Sequence, residues 1–208
     1  MATITPTKTD SQSCLTHQAA THPTTIVASA QDCRTKRGAI LYLYHGYVEA
    51  TADTNPGKFL VQVRPDAGDG AVTEHWITVL ELVARGTTPD TEAMTATEPI
   101  GETTLAVAST TGFAIDDLLY IQDTGTLADS EWARLKTLVS NTNIQLIDGL
   151  TNQKDSSDVI WNDASLWVVP LDLNGIESFR VVWTHEGATG ANGHVKGEYS
   201  TYDSDTVA

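Results

Sequence analysis

From Thr103 to Ser165 the chain repeats one pattern, a short apolar run followed by a turn. The runs include Leu105 to Val107, Leu118 to Asp123 and Ile144 to Ile147. The punctuation is Ser109-Thr110-Thr111-Gly112, Ser140-Asn141-Thr142-Asn143 and Asp148-Gly149. Alternation with period two is the side-chain period of a β-strand, and Gly, Asn, Asp and Ser take turn conformations for stated steric and hydrogen-bonding reasons. Glu131 to Val139 fits a helix or a strand by itself; the turn and the strand that follow it suggest a hairpin. A stretch built this way has an architecture to show. It holds no nucleophile beside a base and no metal-ligand cluster.

The flanking segments read the same way. Thr24 to Ala30 and Gly38 to Ala50 are expected strands. In the second, Tyr42, Tyr44 and Val48 share one parity and Leu41, Leu43, His45 and Tyr47 the other, which suits a strand buried between two layers. Thr54-Asn55-Pro56-Gly57 is a turn, Lys58 to Arg64 a strand, and residues 65–70 a second turn. Thr73 to Ala84 carries Leu and Glu, but its β-branched and aromatic residues favour a strand over a helix. Leu166 to Leu173 is a strand whose Pro170 calls for an edge or a bulge. Phe179 to His185 and His194 to Tyr202 are strands on either side of the glycine-rich turn at 187–193.

No segment is strongly helical, and strands at regular spacing indicate an all-β fold. Composition shifts near residues 90 and 165 divide it. Residues 24–95 and 166–208 are expected to form a β-sandwich, jelly-roll-like, with residues 96–165 inserted as a small β-barrel module. Residues 1–23, rich in Thr, Ser and Gln, are expected to be a flexible arm that orders on a partner.

The 208 residues hold 12 Lys and Arg against 27 Asp and Glu, a formal net charge of −15. Such a surface repels phosphate, so direct nucleic-acid binding is not expected, while it suits plain colloidal solubility or an electropositive protein partner. No apolar run is long enough for a transmembrane helix, and the N-terminus lacks the apolar segment of a signal peptide. Cys14 and Cys33 form no CxxC and are read as free thiols.

Chemistry-bearing patterns are weak. His17, His22, His45, His75, His185 and His194 form no HxH, HxxxH or HExxH, although His185 and His194 flank one expected hairpin. Asp116, Asp117, Asp123, Asp129, Glu131, Asp155 and Asp158 crowd the central module without the spacing of a calcium loop, and are read as solvated loop acids. No GxSxG and no P-loop is present. The chain is therefore not expected to be an enzyme, and no catalytic residue, metal or cofactor is assigned. Trp76, Trp132, Trp161, Trp167 and Trp183 lie in or beside apolar strands, which favours core or interface packing over a sugar platform. Tyr42, Tyr44, Trp76, Trp167 and Trp183 are the candidate interface residues.

Three segments carry a resemblance. They are Tyr42-Leu-Tyr-His-Gly through Thr54-Asn-Pro-Gly-Lys-Phe-Leu-Val-Gln-Val63; Val107-Ala-Ser-Thr-Thr-Gly-Phe to Tyr120-Ile-Gln-Asp123 with Ser130-Glu-Trp-Ala133 and Asp148-Gly-Leu-Thr151; and Val168-Val-Pro-Leu-Asp-Leu through Arg180-Val-Val to Tyr202-Asp203. Together they resemble tailed-bacteriophage virion proteins of the capsid decoration, or cement, type. Where many such modules carry Gly-Asp before the strand, this chain has Ile115-Asp116-Asp117. The resemblance implies an all-β virion protein on the outer capsid surface. It would bridge subunits of the major capsid protein, commonly as a symmetric homo-oligomer, for which a trimer is the working expectation, without nucleic acid or membrane. Another virion part (neck, tail or fibre) and a carbohydrate- or receptor-binding β-module are the alternatives.

Overall fold

The computed structural model describes residues 8–21, 23–49, 56–65, 75–84, 88–185 and 192–203. Residues 1–7 of the expected arm, Thr54 and Asn55 of the first turn, residues 66–70 of the second and residues 187–191 of the glycine-rich turn lie outside them. Fifteen strands follow in order: β1 Gln12–Thr21, β2 Thr25–Val27, β3 Gln31–Asp32, β4 Lys36–Tyr47, β5 Lys58–Pro65, β6 Ile77–Val83, β7 Thr91–Ala93 and β8 Thr104–Ala106. After them come β9 Leu118–Gln122, β10 Glu131–Ser140, β11 Asn143–Leu146, β12 Val159–Trp161, β13 Ala164–Asp172, β14 Ile176–Thr184 and β15 Asn192–Asp203. A 3-10 turn, Leu127–Asp129, precedes β10.

Two antiparallel sheets make a β-sandwich. One has the order β1-β15-β4-β13, the other β2-β14-β5-β6, with β3 also pairing β14. Their inner faces supply one core: Leu41 and Leu43 of β4 and Val195 of β15 against Phe59 and Val61 of β5 and Phe179, Val181 and Trp183 of β14. Alternation places these side chains, because β4, β5 and β14 each send every second residue inward. Pro170 sits on β13, which among the described residues pairs with β4 alone and is a sheet edge, where proline is tolerated. Thr73 to Ala84 yields the strand β6, and Glu131 to Val139 the strand β10 rather than a helix.

The flexible arm expected over 1–23 is, from Gln12 to Thr21, an edge strand paired with β15. Its register slips between Ser13 and Leu15 and again between Leu15 and Gln18. The first extra residue lets neighbouring Cys14 and Leu15 both reach the core. That is why the segment lacks a period-two pattern and does not read as a strand. The expectation that β4 is covered on both faces is also corrected. Leu41, Leu43, His45 and Tyr47 are buried, while Tyr42 and Tyr44 are only half-buried on the outer side.

The remaining strands form a barrel-like module with the order β7-β12-β9-β10-β11-β8. A bridge between Met94 and Val107 joins its first and last strands, which brings the sheet round on itself. It has its own core, including Met94, Leu105, Leu119, Ile121, Leu135, Ile144 and Ile160. The sheet begins at Thr91 rather than residue 96, since β7 pairs with β12, and β13 from Ala164 already belongs to the sandwich. The chain leaves the sandwich after the edge strand β6 and returns at the edge strand β13. At the base, Asp90 and Asn162 staple the two connections: Asp90 N–H donates to Asn162 Oδ1 (2.8 Å) and Asn162 N–H to Asp90 O (3.2 Å).

Candidate functional site

The outer face of the β1-β15-β4-β13 sheet carries the aromatic residues that sequence reasoning singled out on β4. Tyr42 stands between Glu198 and Val168 in register, and Tyr44 between Lys196 and Leu166. Val168 is 56% exposed. Lys196 Nζ pairs with Glu198 Oε1 at 2.7 Å and lies 5.8 Å from the Tyr44 ring centroid. Residues Lys8 to Ser11 run beside these strands and close one side of an open groove of about 380 Å³, lined also by Tyr42, Tyr44, Glu198 and Ser200. Burial, with Glu198 nearby, holds the Tyr44 phenol above its usual pKa, so it presents a neutral hydroxyl. An aromatic floor with a polar rim is the composition of a protein-binding patch.

The other candidate interface residues do not join this face. Trp76 lies on the outer side of the second sheet, under the guanidinium of Arg180 at 4.3 Å and near that of Arg64 at 5.5 Å. Trp167 packs edge-on to Phe59 from β13, against the sandwich core. Trp183 is fully buried, stacked on His45 at 5.0 Å and edge-on to Phe59 at 4.8 Å. It offers a partner no surface, because β14 is central in its sheet and Trp183 is on the inward parity. None of the five tryptophans is exposed.

Sequence reasoning missed a second cluster, where the module meets the sandwich. Tyr120 of β9 points out of the barrel, opposite in parity to the core residues Leu119 and Ile121. Its hydroxyl bonds His194 Nδ1 of β15 at 2.8 Å and His17 Nε2 of β1 at 3.1 Å. Trp132, in register with Tyr120 on β10, packs on the Tyr120 ring (4.7 Å), on His17 (5.0 Å) and on Tyr44 (5.4 Å). His45 lies beneath, with neither ring nitrogen hydrogen-bonded among the described residues. Burial lowers all three histidines, to about 4 for His17, about 3 for His45 and about 4 for His194, so they are neutral at pH 7. His185 and His194 do not flank a hairpin. His185 follows β14 and His194 lies on β15, and these two strands run in opposite sheets.

Four of the module's acids, Asp117, Asp123, Glu131 and Asp158, hold local structure rather than standing freely solvated. Asp158 is buried and accepts from Thr124 N–H (2.9 Å) and Asp155 N–H (2.8 Å). Asp123 accepts from Gly125 and Thr126 N–H, and Asp117 from Ala114 N–H. Glu131 accepts from Thr151 N–H and pairs at 3.0 Å with the fully buried Lys154. Among the described residues no group of three or more His, Cys, Asp or Glu is placed to hold a metal ion. No helix among them is long and apolar enough to cross a membrane. Cys14 and Cys33 are free and buried, and burial pushes their thiols up to about 12 and about 11.

No protein-family model matches the chain, and no curated protein matches it. Among solved structures it is similar to chains of infectious bursal disease virus. The Gt strain structure is 11% identical over 97% of this chain and 43% of that one, with a TM-score of 0.25. The VP2 subviral particle is 10% identical over 97% and 41%, with a TM-score of 0.24. The chain thus spans about two fifths of the length of those proteins. At such TM-scores the likeness carries no argument, and the functional reading rests on this chain's own residues.

Proposed function

We propose that the chain is a structural protein of a tailed-bacteriophage virion, binding the outer surface of the capsid and stabilising contacts between shell subunits. The observation that carries the reading is the tyrosine-floored face on β4. Tyr42 and Tyr44 stand outward beside exposed Val168, on a sheet whose other face is fully occupied by the core. Rigid amphipathic rings give large contact area at little entropic cost. The resemblance of three sequence segments to decoration proteins points the same way. The partner is the major capsid protein, and the net charge of −15 favours an electropositive site on it, away from packaged DNA. The edge strand β6, with Ile77, Val79 and Val83 about half exposed, suits contact between copies in a trimer. A shell repeats each contact many times, so modest affinity per copy suffices.

The test is add-back of purified protein to particles stripped of it, followed by sedimentation. Wild-type chain binds the particles. The double variant Tyr42→Ala, Tyr44→Ala keeps its far-UV circular dichroism and loses at least tenfold in binding, as expected for two hot-spot aromatics at about 1–2 kcal/mol each. Undiminished binding of the double variant removes this face as the docking site.

A further inference from the structure

The joint between module and sandwich is built on one phenol and two imidazoles, and it is made with care for space. A Cβ on Gly46 would come 2.5 Å from Tyr120 Cγ, and one on Gly193 would come 2.6 Å from His45 Nε2. Gly46 leaves room for the Tyr120 ring of the joint, and Gly193 leaves room for His45 on the core side of the same sheet. The second register slip of β1, between Leu15 and Gln18, brackets His17, and a bulge at that point re-aims a side chain. One bridge thereby ties the module strand β9 to two neighbouring strands of the sandwich, the edge strand β1 and its ladder partner β15.

We propose that the His17–Tyr120–His194 bridge is an acid-released latch. At neutral pH it holds the module against the β1-β15 edge of the sandwich, and protonation of the two histidines frees the module to move on its flanking connections. Tyr120 has one hydroxyl proton. With both rings neutral it donates to one imidazole and accepts from the other. With both rings protonated, each aims a donor at the same oxygen, the hydroxyl proton loses its acceptor, and two cations face each other with ring centroids 5.8 Å apart.

The surroundings do not relieve that charge. Lys196 acts on His17 with the same sign, and His45, with His185 beyond it, lies on the sandwich side. Three of the nearby acids have other partners. Glu198 pairs with Lys196, Glu131 with Lys154, and Asp123, which acts on Tyr120, binds two backbone N–H groups. Asp129 is the acid of the 3-10 turn. Its backbone carbonyl takes the Lys154 ammonium.

The sign follows from burial. Latched, His17 and His194 titrate near 4; released into water they titrate near 6.5. The latch is at full strength above pH 6.5, weakens as pH falls from there, and changes no further below about 4. At pH 5 each histidine shifts the equilibrium toward release by about 30-fold, and the two together by about a thousandfold. This inference stands independently of the capsid reading.

The experiment is a titration of the full chain from pH 7.5 to 4, following small-angle scattering, tryptophan emission and far-UV circular dichroism. The expected result is a larger radius of gyration and red-shifted emission between pH 6.5 and 4, steeper than one proton, with the β signal retained. A constant radius to pH 4, or loss of all three signals together, overturns the latch. The variant His17→Gln, His194→Gln is expected to stay closed at pH 5. Opening at the wild-type midpoint also overturns it. Should that variant not fold, His17→Gln alone is expected to reduce the steepness by one proton, and unchanged steepness counts against the proposal.

Discussion

Gly46 and Asp116 show what single positions decide in this chain. At Gly46 an added Cβ meets the Tyr120 ring at 2.5, 2.9 and 2.9 Å. The ring is fully buried between module and sandwich and has nowhere to retreat. Gly46→Ala is therefore expected to destabilise by about 1–3 kcal/mol in urea unfolding, as overpacking does; a neutral result places the joint elsewhere. Asp116 is the one non-glycine residue found at positive φ (73°) among the described residues. It stands in the turn where related-looking modules carry Gly-Asp, and it keeps the left-handed conformation glycine would adopt there. Asp tolerates that region better than most residues but still pays for its Cβ. Asp116→Gly is expected to stabilise by up to about 1 kcal/mol in thermal unfolding, and a loss of stability contradicts this account of the turn. The residue types at 46 and 116 stand in the sequence, but the ring packed on Gly46 is a contact across 74 positions of chain that no local pattern encodes.

Among elements, the legible ones were those with regular alternation. β4, β5, β9, β11 and β14 match their apolar periods because each has one face against a core. The ambiguous Glu131 to Val139 resolved into β10, since its register with β9 and β11 satisfies a ladder that a helix there would break. β1 was not legible, because two register slips destroy its period and its buried residues are only Cys14, Leu15 and Ala20. Its status is testable. Leu15 is 2% exposed in the sandwich core. Leu15→Ala is expected to cost about 2–4 kcal/mol. A change below about 0.5 kcal/mol, measured by urea unfolding, fits a loose arm and contradicts the strand. The two faces of β4 were half legible. Their common apolar character hid which one met solvent, because tyrosine serves a core and a wet surface equally well.

At the scale of the whole molecule, two cores share one chain, and the chain passes from the edge β6 to the edge β13 by way of the module. The connections at the staple of Asp90 and Asn162 are polar while the strands beyond are apolar. The proposed docking surface was legible as residue types and not as a place. Of five candidate aromatics, the fold brings only Tyr42 and Tyr44 onto one outer face, and the histidine joint beside them went unread because its members lie on β1, β4, β9 and β15. The central claim is that this face binds a shell. Cryo-electron microscopy of the particle that carries the chain tests it most directly. The account predicts ordered copies on the outer capsid surface with Tyr42 and Tyr44 against shell subunits. Density confined to the neck or tail, or copies that turn this face to solvent, would contradict it.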